Sequence, residues 1–254
     1  MPRQRNRHLA TLIKNTLKFS PITGIIGQRQ VGKTTLSSGL STHYVTLDVA
    51  SDQALASVDP RVFLARHKGD PATIDECQLA PALFPALKEW VRTNKKPGQF
   101  LLAGSVRFTS RKAIRESLTG RIVTWELLPM DWSEQYERPL PDTLIRLLKG
   151  NQVGIPLPHS KEFTQGRFSL YCENGGFPGM FSVRNHAVRT QRFETQVNTL
   201  LERDLQLLLE TTLPFRTLRA LLAALANRAT EQSHGGPKEC SQCYQMERVI
   251  QGSR

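Results

Sequence analysis

Apolar residues recur along this chain at two periods. Short, nearly continuous apolar runs alternate with longer stretches in which apolar positions fall three or four apart. PITGIIG (21–27), YVTLD (44–48), ATIDE (72–76), QFLLAGS (99–105) and RIVTWEL (121–127) are the strand candidates. HLATLIKNTLK (8–18) places Leu9, Leu12, Ile13 and Leu17 on one helical face, and Thr34 to Leu40 reads as the first turns of another helix. DPRVFLARH (59–67) offers Asp59 as an N-cap with Pro60 at the first helical position. LFPALKEWVRT (83–93) and SRKAIRESL (110–118) are further helices. Strands alternating with helices predict βαβ units, hence an α/β fold whose mostly parallel sheet is covered on both faces.

The texture changes near residue 136. ERPLPDTLIRLLKGNQVGIPLPHS mixes Pro and Gly with one short apolar helix and reads as a connector over 136–166. From 167 to 228 the period is helical through FSLYCENGGFPGMF, RFETQVNTLLERDLQLLLE and FRTLRALLAALANRA. Residues 229–254 have little apolar periodicity and read as an unpacked, disordered tail. The predicted organisation is a basic helical leader (1–20), an α/β domain (21–135), the connector, a partial helical second domain and the tail.

Composition narrows the class. The 254 residues are 39% hydrophobic and 22% charged, ordinary for a globular protein. No apolar run approaches the ~18 residues of a membrane span, and the leader lacks the apolar core of a secretion signal. Four cysteines, Cys77, Cys172, Cys240 and Cys243, are sparse enough to suit a reducing cytoplasm. Cys240 and Cys243 have half the spacing of a zinc site but no second pair, so they read as incidental thiols. The net charge of +12 attracts phosphates and leaves non-specific nucleic acid open as a partner.

The chemistry concentrates after the first strand. Gly27-Gln28-Arg29-Gln30-Val31-Gly32-Lys33-Thr34 fits G-x-x-x-x-G-K-[ST], with Thr35 following. Such a loop turns successive backbone N–H groups toward a phosphate, and glycines allow the close approach. Lys33 reaches β- and γ-phosphate oxygens, and the Thr34 hydroxyl suits Mg²⁺. A carboxylate on a neighbouring strand is then needed for the metal. Asp75 is the candidate, Asp48 its rival, and Glu76 the residue to polarise water. Ser105, ending QFLLAGS, would sense the γ-phosphate; Arg107 and Arg121 are candidate cations for it.

These stretches resemble a predicted AAA+-like ATPase family of bacteria and archaea, in which an N-terminal P-loop ATPase precedes a C-terminal domain of unknown function. The likeness runs through ITGIIGQRQVGKTTL, YVTLD, DPRVFL, IDECQLAPALFPALKEWV, FLLAGS and LTGRIVTWELLPMDWSEQ, in order over about residues 8–135. Gly175-Gly176-Phe177-Pro178 and Leu201-Glu202-Arg203-Asp204-Leu205 look like the opening of the second domain. The resemblance implies a P-loop three-layer sandwich. It implies ATP held by Gly27, Gly32, Lys33, Thr34 and Thr35, Mg²⁺ and hydrolysis roles for Asp75 and Glu76, and a sensor role for Ser105.

The likeness stops near Arg228, which suggests a chain shifted in frame or truncated there. Leu200, Leu201, Leu205 and Leu208 would then lack partners and favour association. The leading expectation is a Mg²⁺-dependent ATPase that drives a change in the helical half, acting on a protein partner the sequence does not identify. A nucleotide-binding switch with little turnover and a DNA-associated ATPase regulator are the alternatives. An arginine supplied in trans would require a homo-oligomer.

Overall fold

Five short strands pair in parallel to form the centre of the molecule. The computed structural model describes residues 4–104, 118–139, 164–205 and 213–231. The strands are β1 (Ile22–Ile26), β2 (His43–Thr46), β3 (Ala72–Asp75), β4 (Phe100–Gly104) and β5 (Ile122–Glu126), in the order β2-β3-β4-β1-β5. Ile22 pairs with Phe100 on one side and Ile122 on the other, and Ile26 pairs with Gly104 and Glu126. Every residue of β1, β3 and β4 is buried, as a sheet covered on both faces requires. The α/β class read from the sequence is the fold observed.

Alternate residues of β1 and β4 feed two cores. Ile22, Ile26, Phe100 and Leu102 join a large cluster containing Phe63, Leu64, Phe84 and Leu87. These come from α4 (Pro60–Arg66) and α5 (Leu83–Thr93). Ile25 and Leu101 face the other way, toward Ile13 of α1 (Leu9–Thr16) and Leu36 of α2 (Lys33–Ser38). Asp59 caps α4 as expected, its carboxylate accepting from the Val62 N–H at 3.0 Å.

One local expectation changes, and two helices appear that the sequence reading did not place. Leu12 is 46% exposed, so the buried face of α1 is narrower than the apolar spacing suggested. The helix is pinned instead through Thr16, whose hydroxyl accepts the Trp125 indole N–H at 2.9 Å. The stretch after β2 forms a helix, α3 (Ala50–Val58), that has no strong apolar stripe and buries only Ala56. The short helix α6 (Trp132–Gln135) is capped by Asp131, which accepts from the Glu134 N–H. The SRKAIRESL stretch lies outside the described residues except Leu118, which is buried in the larger core.

Beyond the connector come α7 (Gln165–Asn174), α8 (Pro178–Phe181), α9 (His186–Thr199) with a π-helical continuation over Leu200–Asp204, and α10 (Phe215–Glu231). Contacts divide the chain into two compact units, Met1–Arg192 and Phe193–Arg254. Within the second, Leu201 and Leu218 are buried; Leu208, Cys240 and Cys243 lie outside the described residues. No described helix is long and apolar enough to cross a membrane.

The buried His67, packed against the half-buried His43, should make stability pH-dependent. His43 Nε2 lies 2.8 Å from His67 Nδ1, and His67 Nε2 is 3.7 Å from Asp52. Burial, then the neighbouring His43, lowers the His67 pKa below its ordinary value, with Asp52 opposing them. The unfolded chain therefore takes up this proton first. The stabilisation is complete above the unfolded value of about 6.5 and is lost as pH falls through the folded-state pKa. Thermal denaturation of wild type should show stability declining below that pH. In His67→Phe the slope should be shallower; an unchanged slope would exclude His67 as its source.

Candidate functional site

The chain leaves the C-terminal edge of the sheet at Ile26 and becomes helical again at Lys33. Gly27 opens the loop at φ 153°, with its Cα against the Leu127 backbone; a Cβ there would collide with the Leu127 carbonyl oxygen. Gly32 closes the loop in the left-handed region at φ 96°, a conformation that costs glycine little. Val31 is fully buried and anchors the loop in the smaller core. Lys33 is 6% exposed. Its ammonium folds back across the loop, donating to the carbonyls of Gly27 at 2.9 Å and Gln28 at 2.8 Å.

The next residue links the loop to a second strand. Thr34 Oγ1 donates to Asp75 Oδ2 at 2.7 Å, although 41 positions separate the two. Asp75 ends β3 and is 2% exposed. The Tyr44 hydroxyl also donates to Oδ2, at 2.9 Å, and the Glu76 N–H donates to Oδ1 at 2.9 Å. Burial, and after it the Asp75 carboxylate, pushes the Tyr44 hydroxyl pKa far up, so Tyr44 remains a donor at neutral pH. Asp48 is exposed just beyond β2. Asp75, not Asp48, is therefore the carboxylate joined to Thr34.

Glu76 adopts φ 51°, ψ 37°, a left-handed conformation that costs a non-glycine residue about 1 kcal/mol or more. The Gln78 amide donates to Glu76 Oε2, holding the carboxylate from behind. The intervening Cys77 is fully buried, and its burial pushes the thiol pKa well up, with Asp75 and Glu76 adding to it. Such burial disfavours the thiolate that cysteine chemistry needs. Loop, lysine, threonine and two adjacent acids thus meet at one edge of the sheet.

Residues 19–136 match the AAA domain family. This stretch is similar to AAA domains, and the match covers less than half of the chain. Two curated relatives, uncharacterized proteins of Mycobacterium tuberculosis and Mycobacterium bovis, are each 29% identical over 224 residues. The match covers 87% of this chain but 44% of each relative, so the chain spans less than half their length. Among solved structures, the Walker-type ATPase of Pyrococcus abyssi is 12% identical, with a TM-score of 0.45 over 82% of this chain and 78% of that one. AMPPCP-bound DnaA from Aquifex aeolicus is 16% identical, with a TM-score of 0.42 over 76% and 67%.

The remaining candidate residues of the AAA domain separate by position. Arg121 directly precedes β5 and so stands at the N-terminal edge of the sheet, opposite the loop; its guanidinium donates to the Thr119 carbonyl. Within one chain the structure does not bring Arg121 to the site. Ser105 and Arg107 lie outside the described residues. Gln28 and Gln30 are exposed on the loop, with Gln30 left-handed at φ 63°; Arg29 is half-buried, and Thr35 is exposed at the start of α2.

Two features escaped the sequence reading. Arg7, which the sequence reading held only as part of the basic leader, has a side chain only 8% exposed. Its Nε pairs with Glu134 Oε2 at 3.0 Å, its Nη1 donates to the Val31 carbonyl at 2.6 Å, and its Nη2 donates to the Leu128 carbonyl at 2.5 Å. Glu134 Oε1 also accepts the His8 N–H at 2.7 Å. The leader is therefore tied to the loop itself. The second is the place of the Gly175-Gly176-Phe177-Pro178 turn, which the sequence reading took as the opening of the second domain. Phe177 packs on the smaller core, and Pro178 lies beside Gly32.

Proposed function

We propose that this chain is a Mg²⁺-dependent ATPase, its AAA domain hydrolysing ATP to ADP and phosphate. The carrying observation is the 2.7 Å hydrogen bond from Thr34 to the buried Asp75. It joins the phosphate loop to an acidic strand end, which a loop that merely binds an anion would not need. Thr34 and Asp75 offer only oxygen, the donor type a hard cation takes. No group of three or more His, Cys, Asp or Glu able to hold a metal occurs among the described residues. That fits an ion shared with substrate phosphates rather than caged by protein. When bound, Mg²⁺ neutralises charge on those phosphates.

The rest of the mechanism belongs to the chain. Loop N–H groups hold phosphate oxygens, and Lys33 turns its ammonium from the Gly27 and Gln28 carbonyls toward them. Glu76, steadied by Gln78, accepts a proton from the attacking water. Hydrolysis is coupled in this reading to a conformational change in the C-terminal half. The test begins with binding. ATP affinity measured by equilibrium dialysis should fall about a hundredfold in Lys33→Ala, which loses charge-assisted bonds to phosphate. Equal affinity in both proteins would remove the loop from ATP binding.

A further inference from the structure

Three neutral donors hold the buried Asp75 carboxylate. Thr34 Oγ1 and the Tyr44 hydroxyl share Oδ2, at 2.7 and 2.9 Å, and the Glu76 N–H donates to Oδ1 at 2.9 Å. Buried charges are as a rule paired or set against a metal, and none of these three donors carries a charge. Two of them belong to the reading already given, the threonine of the phosphate loop and the backbone of the neighbouring acid. Tyr44 belongs to neither element.

The sheet brings it there. β2 and β3 run parallel, with Tyr44 level with Thr73 and Thr46 level with Asp75. Successive side chains of a strand point to opposite faces, so these four residues share one face. The Thr73 hydroxyl donates to the Ser37 carbonyl at 3.2 Å, so that face meets α2, the helix that carries Thr34. The residues beside Tyr44 anchor the other face: Val45 lies in the larger core, and His43 bonds His67 at the end of α4. Thr46, level with Asp75, accepts the Asp48 N–H at 3.3 Å. The longer Tyr44 side chain, leaning along its strand, is the one from β2 that donates to the carboxylate.

We propose that Tyr44 is a positioning residue of the metal site, keeping Asp75 Oδ2 turned toward Thr34 so that a divalent cation arriving with nucleotide meets an ordered pair of oxygen groups. The assignment rests on the reading of Thr34 and Asp75 as the residues that hold Mg²⁺. A threonine hydroxyl has one proton and two lone pairs. With its proton committed to Asp75, Thr34 keeps its lone pairs for a cation. Without Tyr44, one donor fewer fixes the rotation of the carboxylate, and binding of the cation has to supply that order.

The test is ATP affinity by equilibrium dialysis for the full chain and for Tyr44→Phe, each in excess Mg²⁺ and in EDTA. Wild type should bind ATP more tightly with Mg²⁺. In Tyr44→Phe that advantage should shrink about tenfold, with affinity in EDTA within about twofold of wild type. An unchanged or larger advantage overturns this assignment alone. So does a loss of equal size in Mg²⁺ and in EDTA, which would make Tyr44 a support for the fold and nothing more. Wild type with no Mg²⁺ advantage overturns the assignment together with the reading of Thr34 and Asp75 as holding the metal. Should Tyr44→Phe fail to fold, Tyr44→4-fluorophenylalanine fills the volume of the hydroxyl without donating, and its Mg²⁺ advantage decides in the same way.

Discussion

Glu76→Gln should still bind ATP and should hydrolyse it about 10²–10⁴-fold more slowly, the range a positioned general base contributes. The substitution keeps the shape of the side chain and the backbone bond from the Glu76 N–H to Asp75. It removes the capacity to take a proton. The residue is held in a left-handed conformation at the end of β3, with the Gln78 amide on one carboxylate oxygen. Single-turnover phosphate release, measured with ATP affinity on the same preparation, separates the two effects. Loss of affinity with unchanged turnover would give Glu76 a binding role; unchanged values in both would remove it from the site.

Arg7→Ala should cost about 3–5 kcal/mol, because it strands Glu134 as an unpaired charge in a buried place. Both side chains are under a tenth exposed, at 8% and 7%. The same change also removes donors from the Val31 and Leu128 carbonyls. At about 2–4 °C per kcal/mol for a unit of this size, the melting temperature should drop by roughly 10 °C. Arg7→Lys should recover only part of it, since one ammonium cannot reproduce a fork that reaches three acceptors. ATP affinity of the folded Arg7→Ala protein should fall as well, because Val31 belongs to the phosphate loop. A melting temperature within about 1 °C of wild type would show that the leader is not part of this domain's stability.

How much of this was readable in the sequence depends on what each residue's signal is tied to. The strands were visible because a sheet covered on both faces forces unbroken apolar runs such as ITGII and FLLAG. The phosphate loop was visible because close backbone approach at Gly27 and a left-handed backbone at Gly32 both favour glycine. Asp75 and Glu76 followed from the requirement for a carboxylate beside such a loop. Arg7 was not readable: a charged side chain in a basic run carries no mark of its partner, and here the partner is 127 positions away. α3 escaped because Ala and Ser give it no strong stripe. Arg121 was misplaced because a linear reading does not say which edge of a parallel sheet a residue occupies.

The most direct measurement is steady-state phosphate release from ATP by the full chain, with and without Mg²⁺, beside Lys33→Ala at several protein concentrations. Wild type should release phosphate only with Mg²⁺, and Lys33→Ala should be inactive at every concentration. A specific activity that rises with wild-type concentration would show that a neighbouring copy completes the site, as the distant position of Arg121 requires if that residue takes part. Wild type and Lys33→Ala releasing phosphate at the same rate would contradict the account.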